Sequence, residues 1–232
     1  MSIRVSVIEA VHLLWSDLDI SGGPPLETQQ KRWNRIFEEY GTKRPICDDW
    51  LDKYGEIFKI SKDTPIIDLG CGSGNNTLYL YEQGYQVVSC DFAEVALQRL
   101  SRFVPNPITR LFDLRSRFPF QDGAARIVVA DLCLHYFSEA ETIGIISEIR
   151  RILGDGGWLF SRVNSVNDIY YGAREGTAIE SFYYEQNGNR KRFFNESSLR
   201  AFFAEWKIKA LHECAMGRYG KPKMVWELAA QK

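Results

Sequence analysis

The stretch at 65–80, PIIDLGCGSGNNTLYL, constrains this chain most. A short apolar run ending in Asp68 and Leu69 drives into a turn with three glycines, Gly70, Gly72 and Gly74. It leaves that turn into residues with helical spacing. A bend so bare of side chains, between a strand and a helix, belongs to open α/β sheets, which hold ligands at the carboxyl ends of their strands. From residue 65 the rest of the pattern agrees. Strands are predicted at 65–69, 85–90, 107–112, 125–131 and 156–163, with helices at 75–83, 93–103 and 139–153 between them. In the last helix Ala140, Ile143, Ile146, Ile149 and Leu153 mark one face. Ser138 and Glu141 form a capping box, and Gly154 is the expected stop. The alternation predicts a doubly wound, Rossmann-like parallel sheet.

The flanks read differently. Residues 17–30 are Gly/Pro-rich and linker-like, so 1–30 is an extension, expected to be flexible, and 31–232 is the domain. Helical spacing covers 30–40 and 44–58. After residue 162 comes a polar, aromatic insertion, 162–194. In it Asn187-Gly188, between FYYEQ and NRKRFF, signals a hairpin. A helix at about 196–205 and strands at 206–213 and 223–230 follow. Closing on strand-turn-strand predicts that the last strand runs antiparallel.

Composition sets limits. Net charge is −1, so no general attraction to nucleic acid or an anionic membrane is expected. The cluster Arg190-Lys191-Arg192 reads as solvated surface. No apolar run reaches the length of a membrane span, and residues 1–15 lack the features of a signal peptide. Five cysteines show no C-x-x-C pair. Cys71, Cys90 and Cys133 fall in or beside apolar strands. They read as buried hydrophobes of a reducing, cytoplasmic setting, with no disulfide frame and no metal site.

The turn itself excludes the common phosphate binders. Its glycines are spaced G-x-G-x-G, not G-x-G-x-x-G, and no Lys-Ser/Thr follows as a P-loop needs. Asp68, just before it, repels phosphate and suits a cationic ligand. Asp91 ends the second strand, where an acid grips ribose hydroxyls in nucleotide-binding α/β folds. Phe92 beside it suits an adenine face. Asp113 ends the third strand and can accept from an exocyclic amine. A cationic amino-acid end, a ribose and an adenine without phosphate describe S-adenosylmethionine.

With IIDLGCGSGNNT, CDF, FDL and ARIVVADLCLHYF in view, residues from about 33 to 230 resemble a class I S-adenosylmethionine-dependent methyltransferase. The small-molecule types of the tellurite-resistance and thiopurine group are the most similar. The resemblance implies a seven-stranded sheet with the last strand antiparallel. It implies a cofactor set of Asp68, Gly70, Cys71, Gly72, Gly74, Asn76, Asp91, Phe92, Asp113, Leu114, Asp131 and Leu132. It also implies that an N-terminal helix bearing Trp33 and Tyr40 closes over the cofactor; the alternative is that these are core aromatics. Ala93 departs from the Ser or Asp often found there, which puts the start of the next helix in question.

His135, just past the fourth strand, is the candidate for chemistry. It is a proton acceptor near the methyl group, or else a loop histidine that orders the next helix. Tyr136, Asn164, Tyr171, Arg218 and Tyr219 are the substrate candidates, with the insertion as a cap or, alternatively, a sheet-edge flap. The expected reaction is methyl transfer to a small molecule by in-line displacement. The alternative is a non-catalytic S-adenosylmethionine-binding sensor or assembly protein. A nucleic-acid or protein methyltransferase ranks third, because no basic face and no Asn/Asp-Pro-Pro-aromatic motif are present.

Overall fold

Period-two burial along the central strands builds two cores, one on each face of a single sheet. In β4 (Ala125–Asp131), Ile127 and Val129 pack with Trp50, Phe58 and Leu80 on one side, while Val128 and Ala130 pack with Ile145 and Ile149 on the other. The structure, a computed structural model, describes residues 26–232, with side chains from residue 29. The part of the expected extension at 1–25 lies outside the described residues. The rest of the predicted linker is helical, because α1 spans Leu26–Glu39.

Alternating strands and helices continue the chain. β1 is Ile66–Leu69, α2 Asn75–Glu82, β2 Val87–Asp91, α3 Glu94–Leu100 and β3 Ile108–Leu111. After β4 come α4 (Glu139–Ile152) and β5 (Leu153–Asn164). The remaining elements are β6 (Thr177–Glu180), β7 (Tyr183–Gln186), β8 (Asn189–Arg192), α5 (Glu196–Phe202), β9 (Lys207–Met216) and β10 (Lys223–Gln231). The large sheet has seven strands in the order β3-β2-β1-β4-β5-β10-β9. The β1–β2, β2–β3, β1–β4 and β4–β5 pairs are parallel, and β10 is antiparallel to both neighbours. The predicted sheet and its reversed last strand are therefore present. Strand order reverses at β1, which lies between β2 and β4, and this fixes where a ligand cleft opens.

Several local expectations need correction. Residues 44–58 form no long helix, but short helical turns at Asp52–Tyr54, Gly55–Phe58 and Lys59–Ser61. The capping box of α4 is as read: Ser138 accepts from the Glu141 N–H and the Glu141 side chain accepts from the Ser138 N–H. Its buried face is rotated from the expected one. Ile145, Ile146, Ile149 and Ile152 are inside, whereas Ile143 is 49% exposed and Ala140 is also exposed. Gly154 does not stop α4, because Leu153 is already extended and the helix runs straight into β5.

The insertion folds as a three-stranded antiparallel sheet, β6-β7-β8, with one strand more than the hairpin predicted. Asn187 and Gly188 both have positive φ, 51° and 73°, as a type I′ turn demands. The cap is fastened to the turn at Leu134–Tyr136. Arg192 Nε donates to the Phe137 carbonyl and Tyr183 hydroxyl to the Tyr136 carbonyl. Among the described residues no helix is long and apolar enough to cross a membrane.

The turn after β1 leaves no room for a side chain. Gly70 has φ +61°, and a Cβ there would lie 2.5 Å from Cys133 Cβ. The backbone conformation alone costs an L-residue about 1–2 kcal/mol. Gly70→Ala is therefore expected to lower Tm by roughly 2–8 °C before any clash is counted. A thermal melt of unchanged midpoint would contradict this packing.

Candidate active site

A cleft of about 360 Å³ opens above the carboxyl ends of the central strands. Its position follows from the strand order. The glycine turn, Asp91 and Asp113 wall it over β1, β2 and β3, while residues that follow β4 and β5 and those next to β10 wall the other half.

On the first half, Asp91 organises the turn. Its Oδ2 accepts the Gly72 N–H at 2.8 Å and its Oδ1 accepts the Ala93 N–H at 2.9 Å. Ala93 has no side chain with which to cap α3, so Asp91 supplies that acceptor. Burial raises the Asp91 pKa, while the Ala93 and Gly72 N–H groups pull it back down. Phe92, Phe112 and Leu114 add apolar wall. Asp113 also lines the cleft, but Arg115 already grips it, with Nε at 3.1 Å and Nη2 at 2.8 Å from Oδ2.

The floor is an ion network. Asp131, at the end of β4, accepts Arg162 Nε on Oδ1 and Nη2 on Oδ2, both at 2.7 Å. Arg218 Nη2 donates to Asp131 Oδ2 at 3.0 Å and to Asp48 Oδ1 at 2.8 Å, and Arg162 Nη1 reaches Asp48 Oδ2 at 2.8 Å. Asn76 donates to Asp131 and accepts from the Trp50 indole, and the Trp50 ring lies 4.3 Å from the Arg162 guanidinium carbon. Burial alone would raise the Asp131 pKa. The Arg162 charge and hydrogen bonds, then Arg218, outweigh it and hold this carboxyl below its ordinary value. Next to it Leu132 takes φ +55°, a left-handed conformation that branched and bulky residues avoid, with its N–H on the Arg162 carbonyl.

The second half of the cleft is aromatic and basic. Trp33 meets Tyr136 edge-on at 5.3 Å, and Tyr171 and Tyr219 have centroids 5.5 Å apart. Lys191 and Lys223 line the same space. His135 is buried there, with no partner for Nδ1. Burial, then the charges of Lys223 and Lys191, push its pKa well below the usual imidazole value.

Of the residues expected to hold the cofactor, Tyr40, Gly70, Cys71, Gly72, Asn76, Asp91, Phe92, Asp113, Leu114, Asp131 and Leu132 line the cleft. Of the candidates for chemistry and substrate, His135, Tyr136, Tyr171, Arg218 and Tyr219 line it. Asp68, Gly74 and Asn164 do not reach its walls. Asp68 lies behind the turn, where its Oδ2 accepts the Thr77 hydroxyl at 2.6 Å, and burial raises its pKa to about 7. Gly74 packs against Leu100, and Asn164 is wholly buried inside β5. The surface reading of 190–192 is also overturned. Arg192 is 3% exposed and paired with Glu180, and Lys191 faces the cleft. Arg162, Asp48 and Trp50 were missed because they carry no motif and converge only through the fold.

Outside the cleft, ligand atoms of His212, Cys214 and Glu227 lie within 4.8 Å of one another. Lys53 Nζ and the Tyr54 hydroxyl, each at 2.7 Å, already occupy Glu227 Oε1. Within the cleft, removing one partner of a buried pair is costly. Arg162→Met leaves Asp131 buried and short of a counter-charge, and is expected to destabilise the fold by about 3–5 kcal/mol. Chemical denaturation reads this directly, and a loss below 1 kcal/mol would mean that the network is solvated.

Part of the sequence and the fold are similar to those of known proteins. The family model described as a methyltransferase domain matches residues 67–161. An uncharacterized methyltransferase of Synechocystis sp. is 35% identical over 102 residues, 44% of this chain and 48% of that protein. The match thus spans about half the length of that relative. Among solved structures, an S-adenosylmethionine-dependent methyltransferase of Methanosarcina mazei gives a TM-score of 0.64 at 20% identity, covering 76% of this chain and 96% of that one. The 1,6-didemethyltoxoflavin-N1-methyltransferase of Burkholderia thailandensis, with bound 1,6-didemethyltoxoflavin and S-adenosylhomocysteine, gives 0.63 at 17% identity, covering 93% of each chain. TehB of Haemophilus influenzae gives 0.59 at 20% identity, covering 86% of this chain and 67% of that one. At these identities the likeness is one of fold. Residues 67–161 thus match a methyltransferase domain, and the described fold is similar to that of solved S-adenosylmethionine-dependent methyltransferases.

Proposed function

We propose that the protein transfers a methyl group from S-adenosylmethionine to a small molecule held between the sheet and the cap. The observation that carries this reading is the division of the cleft. A bare, acid-walled half over β1–β3 adjoins an aromatic half lined by Trp33, Tyr136, Tyr171 and Tyr219, with Lys191 of β8 reaching it from the cap sheet. The cap and its anchoring contacts restrict the second half to a small acceptor.

The residues present fit the cofactor. No basic side chain stands at the glycine turn among the cleft-lining residues from Gly70 to Phe92, and Asp91 lies there instead. That set repels phosphate and accepts hydroxyl protons. Asp91 would hold the ribose, Phe92 and Leu114 the adenine, and Asn76 with the Asp131 network the methionine end. Bound there, the sulfonium supplies an activated methyl carbon, so the protein's main task is alignment. Trp33, Tyr136 and Tyr219 exclude water and present aromatic faces that favour a cation.

His135 acts as the acceptor-side hydrogen-bond partner. Its lowered pKa keeps it neutral through the physiological range, so a free ring nitrogen is available to an incoming hydroxyl, amine or thiol. The same low pKa makes it a weak proton sink, so its share of catalysis is modest.

Conversion of S-adenosylmethionine to S-adenosylhomocysteine on a fractionated small-molecule extract tests the proposal. Binding of the cofactor with no turnover on any fraction would leave a sensor. Asp91→Ala is expected to weaken S-adenosylhomocysteine binding by roughly 1–3 kcal/mol, about 5- to 150-fold. An unchanged calorimetric Kd would remove Asp91 from the site. For His135, protonation begins only below the ordinary imidazole pKa. The rate with an identified acceptor should therefore stay flat from pH 8 down past pH 6.5. His135→Gln should lower kcat about tenfold with cofactor affinity intact. An acidic limb centred near 6.5 that disappears in the variant would contradict the buried, neutral imidazole.

A further inference from the structure

The cap half of the cleft carries a positive charge that methyl transfer does not require. Lys223 is balanced, because its Nζ donates to Asp168 Oδ2 at 2.9 Å and Asp168 is wholly buried. Lys191 is not. Its Nζ meets only the long limit of a hydrogen bond, 3.5 Å from the Tyr171 carbonyl oxygen. The two acids that bear on it, Asp168 and Glu175, form no ion pair with it: Asp168 pairs with Lys223, and Glu175 accepts from the Gln186 amide. Burial lowers the Lys191 pKa, and the Lys223 charge lowers it further. A half-buried ammonium without a carboxylate is costly, and an anion in the cavity removes that cost.

The surrounding walls define the rest of the ligand. Lys223 Nζ stands 4.8 Å above the Tyr171 ring and 5.8 Å from the Tyr219 ring centre, so both rings flank the basic corner. His135 Nδ1, fully buried and unpartnered, lines the same half. The floor network is neutral in itself, two arginines against two aspartates, so it does not compete for the anion. One uncompensated lysine matches one negative charge, which favours a monoanion over a phosphate dianion.

We propose that the methyl acceptor is a carboxylate-bearing aromatic molecule, its carboxylate on Lys191 and its ring beside Tyr171 and Tyr219. This rests on the methyltransferase reading above. Lys191 is carried on β8 of the cap sheet and not on the strands that form the glycine turn, and the Lys191→Met titrations below separate an acceptor's carboxylate from the cofactor's own.

Calorimetric titration of the full chain with 4-hydroxybenzoate and salicylate, each against its neutral amide, tests the assignment. Titrations are run with and without S-adenosylhomocysteine. The expected result is a carboxylate preference of roughly tenfold or more, the scale of one charge-assisted hydrogen bond. The preference should vanish in Lys191→Met and persist in Lys191→Arg, with S-adenosylhomocysteine affinity equal in all three proteins. Equal binding of acid and amide, no binding by any of the four probes, or a preference that survives Lys191→Met would overturn the proposal. So would weakened S-adenosylhomocysteine binding in Lys191→Met, because it would place the lysine on the cofactor's carboxylate. If the wild type fails to bind S-adenosylhomocysteine, the methyltransferase reading falls, and the titrations without it still decide the anion site.

Discussion

One carboxylate, that of Asp91, holds the glycine-turn half of the cleft in shape. It accepts the Gly72 N–H from the turn after β1 and the Ala93 N–H at the start of α3. Two loops from neighbouring strands are thereby locked to a single side chain. The glycines make this possible, since Gly70, Gly72 and Gly74 all have positive φ and bring the backbone in close. Each oxygen keeps a lone pair after these bonds, so the group that shapes the site can also bind in it.

The Asp131–Arg162 pair does comparable work at the floor, but its energetics differ. A buried ion pair returns little net stability, because desolvation offsets most of the attraction. Its contribution here is geometric. It joins β4 to β5 and, through Arg218 and Asp48, to the loop before β10 and the loop after α1. Four segments far apart in sequence meet with balanced charge. Leu132 can then hold its left-handed backbone, because the strands on either side of it are fixed.

The parts of this molecule legible in the sequence are those set by local rules. Strand-helix alternation, the capping box at Ser138 and Glu141, the Asn187-Gly188 turn and the Asp91 position each follow from a few adjacent residues. Phase and pairing were not local. Ile143 fits the apolar stripe of α4 on spacing alone, yet the side of the helix that meets the sheet is set by tertiary packing, and Ile143 faces out. In Arg190-Lys191-Arg192 composition suggests a solvated run. The register of β8 on β7 decides otherwise, burying Arg192 beside Glu180 and turning Lys191 to the cleft. Asp68 was read as a ligand because it precedes the turn. The strand sends its side chain under the turn, to Thr77, instead.

The two halves of the cleft also differ in sign, and this bears on the chemistry they favour. Asp91 is the acid presented on the cofactor side, and Lys191 is the unbalanced base on the cap side. Where the attacking atom is itself anionic, its charge and that of the sulfonium cancel as the methyl group passes, and the net charge of the pair stays zero. In water such a reaction is slowed, because solvent stabilises the separated charges more than the dispersed transition state. The aromatic walls reduce that solvent, and fixed groups of complementary sign stand in for it without reorganising. The cap sheet therefore does more than cover the acceptor. On the acceptor proposed above, it would bring the selecting charge, Lys191 on β8, to the cleft and hold it there by its anchors to the turn that bears His135.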